Sequence, residues 1–171
     1  MNFDKKFDRY DENAHIQKIV AKNLINLVPD KWYDTIFEIG AGTGILTKNI
    51  ITNLKYKNLL INDKYFESKK YIEDLISVNF IEGDIENLDI NKSDLIISSS
   101  AFQWIENKDK LFKKISKSSD TLVFSIYIKG NLIEISDHFG ISLKYLNMKE
   151  LKTLLTPYFK KISGYEEKFT L

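Results

Sequence analysis

Three of the chain's 7 glycines lie within the segment Gly40–Gly44, directly behind the apolar run Thr35–Ile39. Ile45, Leu46 and Ile50 then follow at helical spacing. Glycine suits positions where a turn needs positive φ or where the backbone approaches a ligand closely. A strand, such a turn and a helix together predict an α/β fold in which the turn is a ligand site.

The rest of the chain alternates apolar runs with segments of helical period. Apolar strands separated by helices are typical of a parallel sheet covered on both faces. The predicted fold class is α/β, a Rossmann-like, doubly wound and mostly parallel sheet. The predicted strands are Thr35–Ile39, Leu59–Asn62, Val78–Ile81, Asp94–Ser98, Thr121–Tyr127 as the longest, and Lys160–Leu171 as the last. The predicted helices are residues 12–28, a helix from Ile45, Glu67–Ser77, Lys108–Ser116, and one opened by an Asn147–Glu150 capping box.

Composition narrows the functional classes. A chain of 171 residues is expected to form a single domain, here residues 1–171. A net charge of +1 provides no electrostatic attraction to nucleic acid, and no apolar run approaches the roughly 18 residues that span a bilayer. The absence of cysteine excludes disulfides and thiolate metal sites. No metal is predicted, and a cytoplasmic protein is expected.

The glycine spacing leaves three interpretations, which are a dinucleotide site, a different nucleoside cofactor, or a turn of purely structural value. The dinucleotide fingerprint G-x-G-x-x-G/A would need a small residue where Ile45 stands. The actual form, G-x-G-x-G preceded by Glu38, resembles motif I of class I S-adenosylmethionine-dependent methyltransferases, written E/D-x-G-x-G-x-G. In that family the turn surrounds the methionine end of the cofactor.

Two aspartates follow later strands and strengthen this resemblance. Asp63 closes the run LLIND, where a carboxylate can accept hydrogen bonds from both ribose hydroxyls, although a turn aspartate alone would be unremarkable. Asp84 lies in the G-D-I turn after the third strand, where the resemblance places an aspartate beside the adenine amino group. The cofactor contacts that the resemblance implies are Glu38, Gly40, Ala41, Gly42, Gly44, Asp63, Lys64, Asp84, Ile85, Ser99 and Gln103.

Further segments resemble one methyltransferase family, the malonyl-acyl-carrier-protein O-methyltransferases of biotin synthesis. The block SSSAFQWIEN, residues 98–107, is similar to that family's S-N-x-A-L-Q-W motif, and residues 130–140 to its G-T-L-x-E-L segment. Trans-aconitate methyltransferases share A-x-Q-W, and Trp104 taken alone is expected in the core. The N-terminal residues that match the family are Phe7, Tyr10, Asp11, Ala14 and Gln17. The resemblance implies that residues 1–29 pack over the cofactor, which Tyr10 and Gln17 would contact.

This resemblance implies transfer of a methyl group from S-adenosylmethionine to the free carboxylate of malonyl-acyl-carrier protein, with S-adenosylhomocysteine as product. A carboxylate is already ionised at neutral pH, so no general base is required and positioning dominates catalysis. Tyr10 could contribute to catalysis by positioning, and no other catalytic residue is identified. Of the only two histidines, His15 is expected at the surface, with an approach to the site as the alternative, and His138 is expected to be structural. Lysines at 108–117 could meet the acidic carrier, or form a solvated helix face.

The family usually continues beyond the length of this chain, with a last strand and a cap that grips the substrate. We therefore expect the last strand and cap to be missing, and the edge near the fifth strand to favour dimerisation. The alternatives are a methyltransferase for another small acid, as in the trans-aconitate enzymes, and a non-catalytic module that binds the cofactor. A dehydrogenase is the most distant alternative.

Overall fold

The structure, a computed structural model, describes residues 15–77, 79–130 and 145–169. Its 5 strands form one sheet in the order β3-β2-β1-β4-β5, and all neighbouring strands run parallel. The strand order reverses between β1 and β4, and ligands of such sheets bind beyond the carboxyl ends of the strands at this point. The α/β, Rossmann-like fold is therefore confirmed. The strands are β1 (Trp32–Ile39), β2 (Lys55–Asp63), β3 (Asn79–Glu82), β4 (Leu95–Ser99) and β5 (Leu122–Ser125).

Helices connect the strands and precede the sheet, as the alternating pattern predicts. The predicted capping box is confirmed, because the Asn147 side chain accepts a hydrogen bond from the Glu150 backbone N–H and the Glu150 carboxylate accepts one from the Asn147 backbone N–H. Within the described residues, no helix is long and apolar enough to cross a membrane. The helices are α1 (His15–Ile25), α2 (Ile45–Asn53), α3 (Glu67–Glu73), α4 (Lys108–Ser118) and α5 (Met148–Leu155), with a 3-10 turn at Phe102–Trp104.

Alternate residues of the central strands supply two cores, one on each face of the sheet. On one face, Ile36 and Ile97 pack with apolar side chains of α1, α2 and α3. On the other, Phe37 and Ile96 pack with α4 and α5, where Phe102, Phe112 and Phe124 also make ring contacts. Burial on both faces explains why the central strands read as nearly continuous apolar runs.

Two strand predictions are wrong. The fifth strand, predicted as the longest, is only 4 residues long, because it pairs on one side with β4, which itself has 5. The last predicted strand does not form, since residues 161–169 carry no regular secondary structure and are mostly exposed. In place of a strand partner, Glu167 of this segment accepts hydrogen bonds from the Asn23 side chain of α1, at 3.0 and 3.4 Å.

The predicted boundaries differ by a few residues elsewhere. The first helix ends at Ile25 rather than at residue 28, and the helix after β2 ends at Glu73 rather than at Ser77. Val78, residues 12–14 and the segment 131–140 with His138 lie outside the described residues.

Candidate functional site

The three clustered glycines all have positive φ, and they differ in the space around an added Cβ. At Gly40 (φ +72°), an added Cβ would lie 2.5 Å from the Cβ of Ala101, so the turn is pressed against the segment after β4. At Gly44 (φ +80°), a Cβ would lie 3.0 Å from the Ile72 side chain of α3 and 2.9 Å from the Leu75 side chain in the turn after α3. At Gly42 (φ +55°), a Cβ would meet no atom of the described residues within 4 Å. Gly40 and Gly44 therefore allow close packing of the turn against its neighbours, whereas no described residue fills the space beside Gly42 at the carboxyl edge of the sheet.

The carboxyl end of β2 holds this turn in place. The Asn62 carbonyl accepts hydrogen bonds from the backbone N–H of Gly40 at 2.8 Å and of Ala41 at 3.1 Å. The Asp63 carboxylate accepts one from the N–H of Gly42 at 2.7 Å and another from the N–H of Tyr65 at 2.9 Å. The conformation of the turn is thus fixed in the protein itself, before any ligand binds.

Asp63 ends β2 as predicted and is only 6% exposed. Each of its carboxylate oxygens accepts one protein hydrogen bond, from Gly42 and from Tyr65. An ionised carboxylate has about four acceptor positions. Asp63 can therefore shape the turn and still accept hydrogen bonds from a pair of hydroxyl groups.

Glu38 lies near the end of β1, fully buried, two residues before the turn that begins at Gly40. Its Oε2 accepts a hydrogen bond from the Thr47 hydroxyl in the first turn of α2, at 2.7 Å. Its Oε1 has no hydrogen-bond partner in the described part of the chain. Burial raises the pKa of Glu38 to about 8, Asp63 adds to the rise, and the Thr47 hydrogen bond opposes it. Glu38 is therefore mainly a neutral carboxylic acid at neutral pH, able to donate one hydrogen bond.

Lys64 and Asp84 face each other across the ends of β2 and β3. The Lys64 ammonium donates to the Asp84 carboxylate at 2.8 Å, and Asp84 also accepts from the Glu86 N–H at 3.0 Å. The Lys64 hydrogen bond is the main cause that lowers the pKa of Asp84, so this carboxylate stays ionised as an acceptor. Ile85, the next residue, is buried with the α4 side of the core.

Lys114, one of the lysines at 108–117 that were expected to meet an acidic carrier or to form a solvated helix face, instead holds the loop after β3. The Lys114 ammonium of α4 donates to the carbonyls of Ile85, Glu86 and Leu88, at 2.9, 3.0 and 2.6 Å. The Glu86 carboxylate in turn accepts from the backbone N–H of Asn107 at the start of α4. The loop carrying Asp84 and Ile85 is therefore held by α4 as well as by β2.

Polar groups also converge at the end of β4. The hydroxyls of Ser99 and Ser125 are hydrogen bonded at 3.1 Å, and Ser100 adopts φ +53°, a left-handed conformation that is uncommon outside glycine. Gln103 is 6% exposed; its amide donates to the Ser100 carbonyl, and its Oε1 has no partner in the described residues. Trp104, expected in the core, is 67% exposed; it is the last residue of the 3-10 turn, whose other two residues, Phe102 and Gln103, are buried.

The structure therefore gathers most of the predicted site residues at the carboxyl edge of the strands. They are Glu38, Gly40, Ala41, Gly42, Gly44, Asp63, Lys64, Asp84, Ile85, Ser99 and Gln103. Gln17 is half-buried on α1, whereas Tyr10 lies outside the described residues. Asn62 and Lys114 were missed, because their roles depend on backbone carbonyls of other segments. The one signal for Asn62 is a polar residue within the apolar run of β2.

Comparison with known proteins agrees with this geometry. A family model described as a methyltransferase domain matches residues 37–118. The malonyl-[acyl-carrier protein] O-methyltransferase of Calditerrivibrio nitroreducens is 34% identical over 174 residues, which cover 98% of this chain and 69% of that protein.

Solved structures share the fold. The complex of a Haloferax volcanii methyltransferase activator with its methyltransferase gives a TM-score of 0.76 at 17% identity, over 91% of this chain and 73% of that one. The plantazolicin methyltransferase BpumL in complex with SAH gives 0.70 at 19% identity, over 91% of this chain and 69% of that one. At these identities, the likeness establishes the architecture of the sheet and its helices.

Proposed function

This chain belongs to the malonyl-[acyl-carrier protein] O-methyltransferase family, and from that premise we propose that it methylates the free carboxylate of malonyl-acyl-carrier protein with S-adenosylmethionine as donor. The observation that carries the proposal is the extent of the similarity, 34% identity over 98% of the chain. It includes the N-terminal segment and the residues after β4, in addition to the glycine turn. The coarser statement, that the chain is a methyltransferase, also agrees with the matched domain.

The residues at the carboxyl edge fit the proposed cofactor. Gly42 offers open space beside the Asp63 carboxylate, which retains acceptor positions suited to two ribose hydroxyls. Two buried oxygens, Oε1 of Glu38 and Oε1 of Gln103, have no partner among the described residues. Because a buried unpaired polar atom is costly, such atoms are suited to hydrogen-bonding groups of a ligand, and Gln103 Oε1 is suited to an ammonium group. When bound, S-adenosylmethionine would supply a methyl group activated by its sulfonium.

Each remaining site residue has a role consistent with this cofactor. Asp84, kept ionised by Lys64, is suited to accept from an amino group of a base, with Ile85 providing an apolar neighbour. Ser99 lies at the end of β4 near Gln103. We also propose, from the sequence resemblance, that Tyr10 and Gln17 contact the cofactor and that residues 1–29 pack over it within a single domain 1–171.

The protein's contribution to the chemistry is mainly positioning. A malonyl carboxylate is ionised at neutral pH, so the residues of the site need not remove a proton from it. The turn Gly40–Gly44 is already held by Asn62 and Asp63, which lowers the cost of ordering it when ligands bind. Covering the site then excludes water and strengthens the electrostatic interactions within it.

We propose that the acidic carrier contacts lysines of α4. Two of these lysines already donate hydrogen bonds to backbone carbonyls. Lys114 is occupied by three carbonyls, and Lys108 donates to the carbonyls of Gln103 and Ile105. The exposed lysines left for a carrier are Lys110, Lys113 and Lys117. We keep a cytoplasmic location as part of the proposal, which the absence of cysteine favours.

The direct test is transfer of labelled methyl from S-adenosylmethionine to malonyl-acyl-carrier protein. The matched control is acetyl-acyl-carrier protein, which presents the same carrier without a free carboxylate and should stay unlabelled. Labelling of trans-aconitate instead would move the proposal to another small acid. Binding of S-adenosylhomocysteine without turnover on any acid would favour a non-catalytic module, and preferential binding of NAD would favour a dehydrogenase.

A further inference from the structure

Asn62 joins the two loops of the site through its backbone and its side chain separately. Its carbonyl accepts from the N–H groups of Gly40 and Ala41, as described above. Its side-chain amide donates to the carbonyls of Ile81 and Gly83, both at 2.9 Å. The residue is 2% exposed, in the last but one position of β2. One buried asparagine thus contacts the glycine turn on one side and the end of β3 on the other.

The contact with Gly83 lies beyond the regular strand pairing. β3 ends at Glu82, and its register with β2 ends with the pair Asp63 and Glu82. The Asn62 amide therefore extends the attachment of β3 by one residue, to the position immediately before Asp84. The Gly83 N–H also donates to the Asp63 carbonyl at 2.9 Å. Gly83 is consequently held by both residues at the end of β2.

We propose that the Asn62 side chain is a positioning residue, which sets Asp84 and Ile85 relative to Asp63 and thereby determines recognition of the cofactor base. This inference rests on the proposed cofactor site. Lys114 holds the loop further along, at Ile85 and beyond. Asn62 is thus the side chain that holds the loop at Gly83, one residue before the contact of Lys64 with the Asp84 carboxylate.

The test is Asn62→Asp, which keeps the side-chain size but replaces both N–H donors by an acceptor facing two carbonyls. The glycine turn is retained, because its hydrogen bonds go to the Asn62 backbone. Asn58→Asp is the matched control, since Asn58 lies on the same strand with its amide on one carbonyl, at 3.2 Å, in an exposed position. Both variants make the same asparagine-to-aspartate change on β2.

Calorimetry should measure binding of S-adenosylhomocysteine and of S-inosylhomocysteine, its analogue with a carbonyl in place of the base amino group. We expect Asn62→Asp to weaken binding of the adenine compound about tenfold and to reduce the preference over the inosine compound to about twofold or less. Asn58→Asp should leave both unchanged. A merely structural weakening would lower both affinities together and preserve the preference. Unchanged preference in a folded Asn62→Asp protein would overturn the proposal.

Hydrogen exchange on ligand-free protein separates this proposal from the proposed function. The amides of Gly83, Asn87 and Leu88 are hydrogen bonded within and before the loop, so they should lose protection in Asn62→Asp and keep it in Asn58→Asp. If the wild type binds no S-adenosylhomocysteine, the proposed function fails. Equal protection of these amides in both variants would instead overturn the attachment of the loop by Asn62, whether or not the ligand binds. If Asn62→Asp does not fold, Asn62→Ser, which adds no charge and cannot reach both carbonyls, takes its place in both measurements.

Discussion

Replacing Gly42 by alanine separates ligand binding from folding more cleanly than any other change at the turn. An added Cβ would meet no atom of residues 15–77, 79–130 and 145–169 within 4 Å, so it clashes with nothing in the part of the ligand-free protein that the structure describes. The cost to stability is then the left-handed conformation at φ +55°, roughly 1–2 kcal/mol for alanine, partly offset by a less flexible unfolded chain. We expect a net loss of about 1 kcal/mol in the free energy of unfolding.

The effect on binding should be larger, because the new methyl group occupies the open space beside Asp63. We expect the affinity for S-adenosylhomocysteine to fall at least about tenfold, equivalent to about 1.4 kcal/mol. Urea unfolding would measure the first quantity and calorimetry the second. Gly164→Ala is the control, because a Cβ there likewise meets no described atom within 4 Å and its φ is not positive. Wild-type affinity in a folded Gly42→Ala protein would refute the assignment of this space to a ligand.

The other predictions concern the packing, protonation and edge of the same sheet. Gly40→Ala should cost about 3 kcal/mol in urea unfolding, from strain at φ +72° and a 2.5 Å contact with Ala101; a loss below that of Gly42→Ala would contradict it. Because the raised pKa of Glu38 keeps its proton bound in the folded state, stability should fall from pH 4.5 to about 8, by up to roughly 1.4 kcal/mol per pH unit. Glu38→Gln should remove this dependence of stability on pH. A variant with the same pH profile as the wild type would contradict the assignment of Glu38 as a buried neutral acid. Since β5 has one paired side among the described strands, we predict dimerisation in light scattering at high concentration, which a strictly monomeric protein would disprove.

The order of strands and helices could be predicted because each central strand is buried on both faces and therefore apolar throughout. Ile36, Phe37, Ile96 and Ile97 illustrate this, since alternate residues supply opposite cores. The length of β5 could not be predicted, because the length of a strand depends on how many residues its partner strand can pair with it, and β4 has only 5 residues. The final strand could not be predicted either, because a β-prone sequence does not show where its segment packs. Glu167 of this segment contacts Asn23 of α1, while β5 keeps one side without a partner among the described strands.

The site residues were predictable where backbone conformation or charge demands a particular residue type. Glycine at positive φ and an aspartate at the end of β2 leave such signals. Asn62 and Lys114 do not, because an amide or ammonium that donates to distant backbone carbonyls can be read only once the chain is folded. The left-handed Ser100 and the exposed Trp104 likewise carry no local sequence signal.

The central claim is that the turn Gly40–Gly44 and the Asp63 carboxylate hold an adenosine cofactor. Diffraction from crystals grown with S-adenosylhomocysteine tests it most directly. We predict density beside Gly42, with both ribose hydroxyls within hydrogen-bonding distance of Asp63. A turn that stays empty at saturating ligand, or a ligand bound at another place on the protein, would contradict the claim.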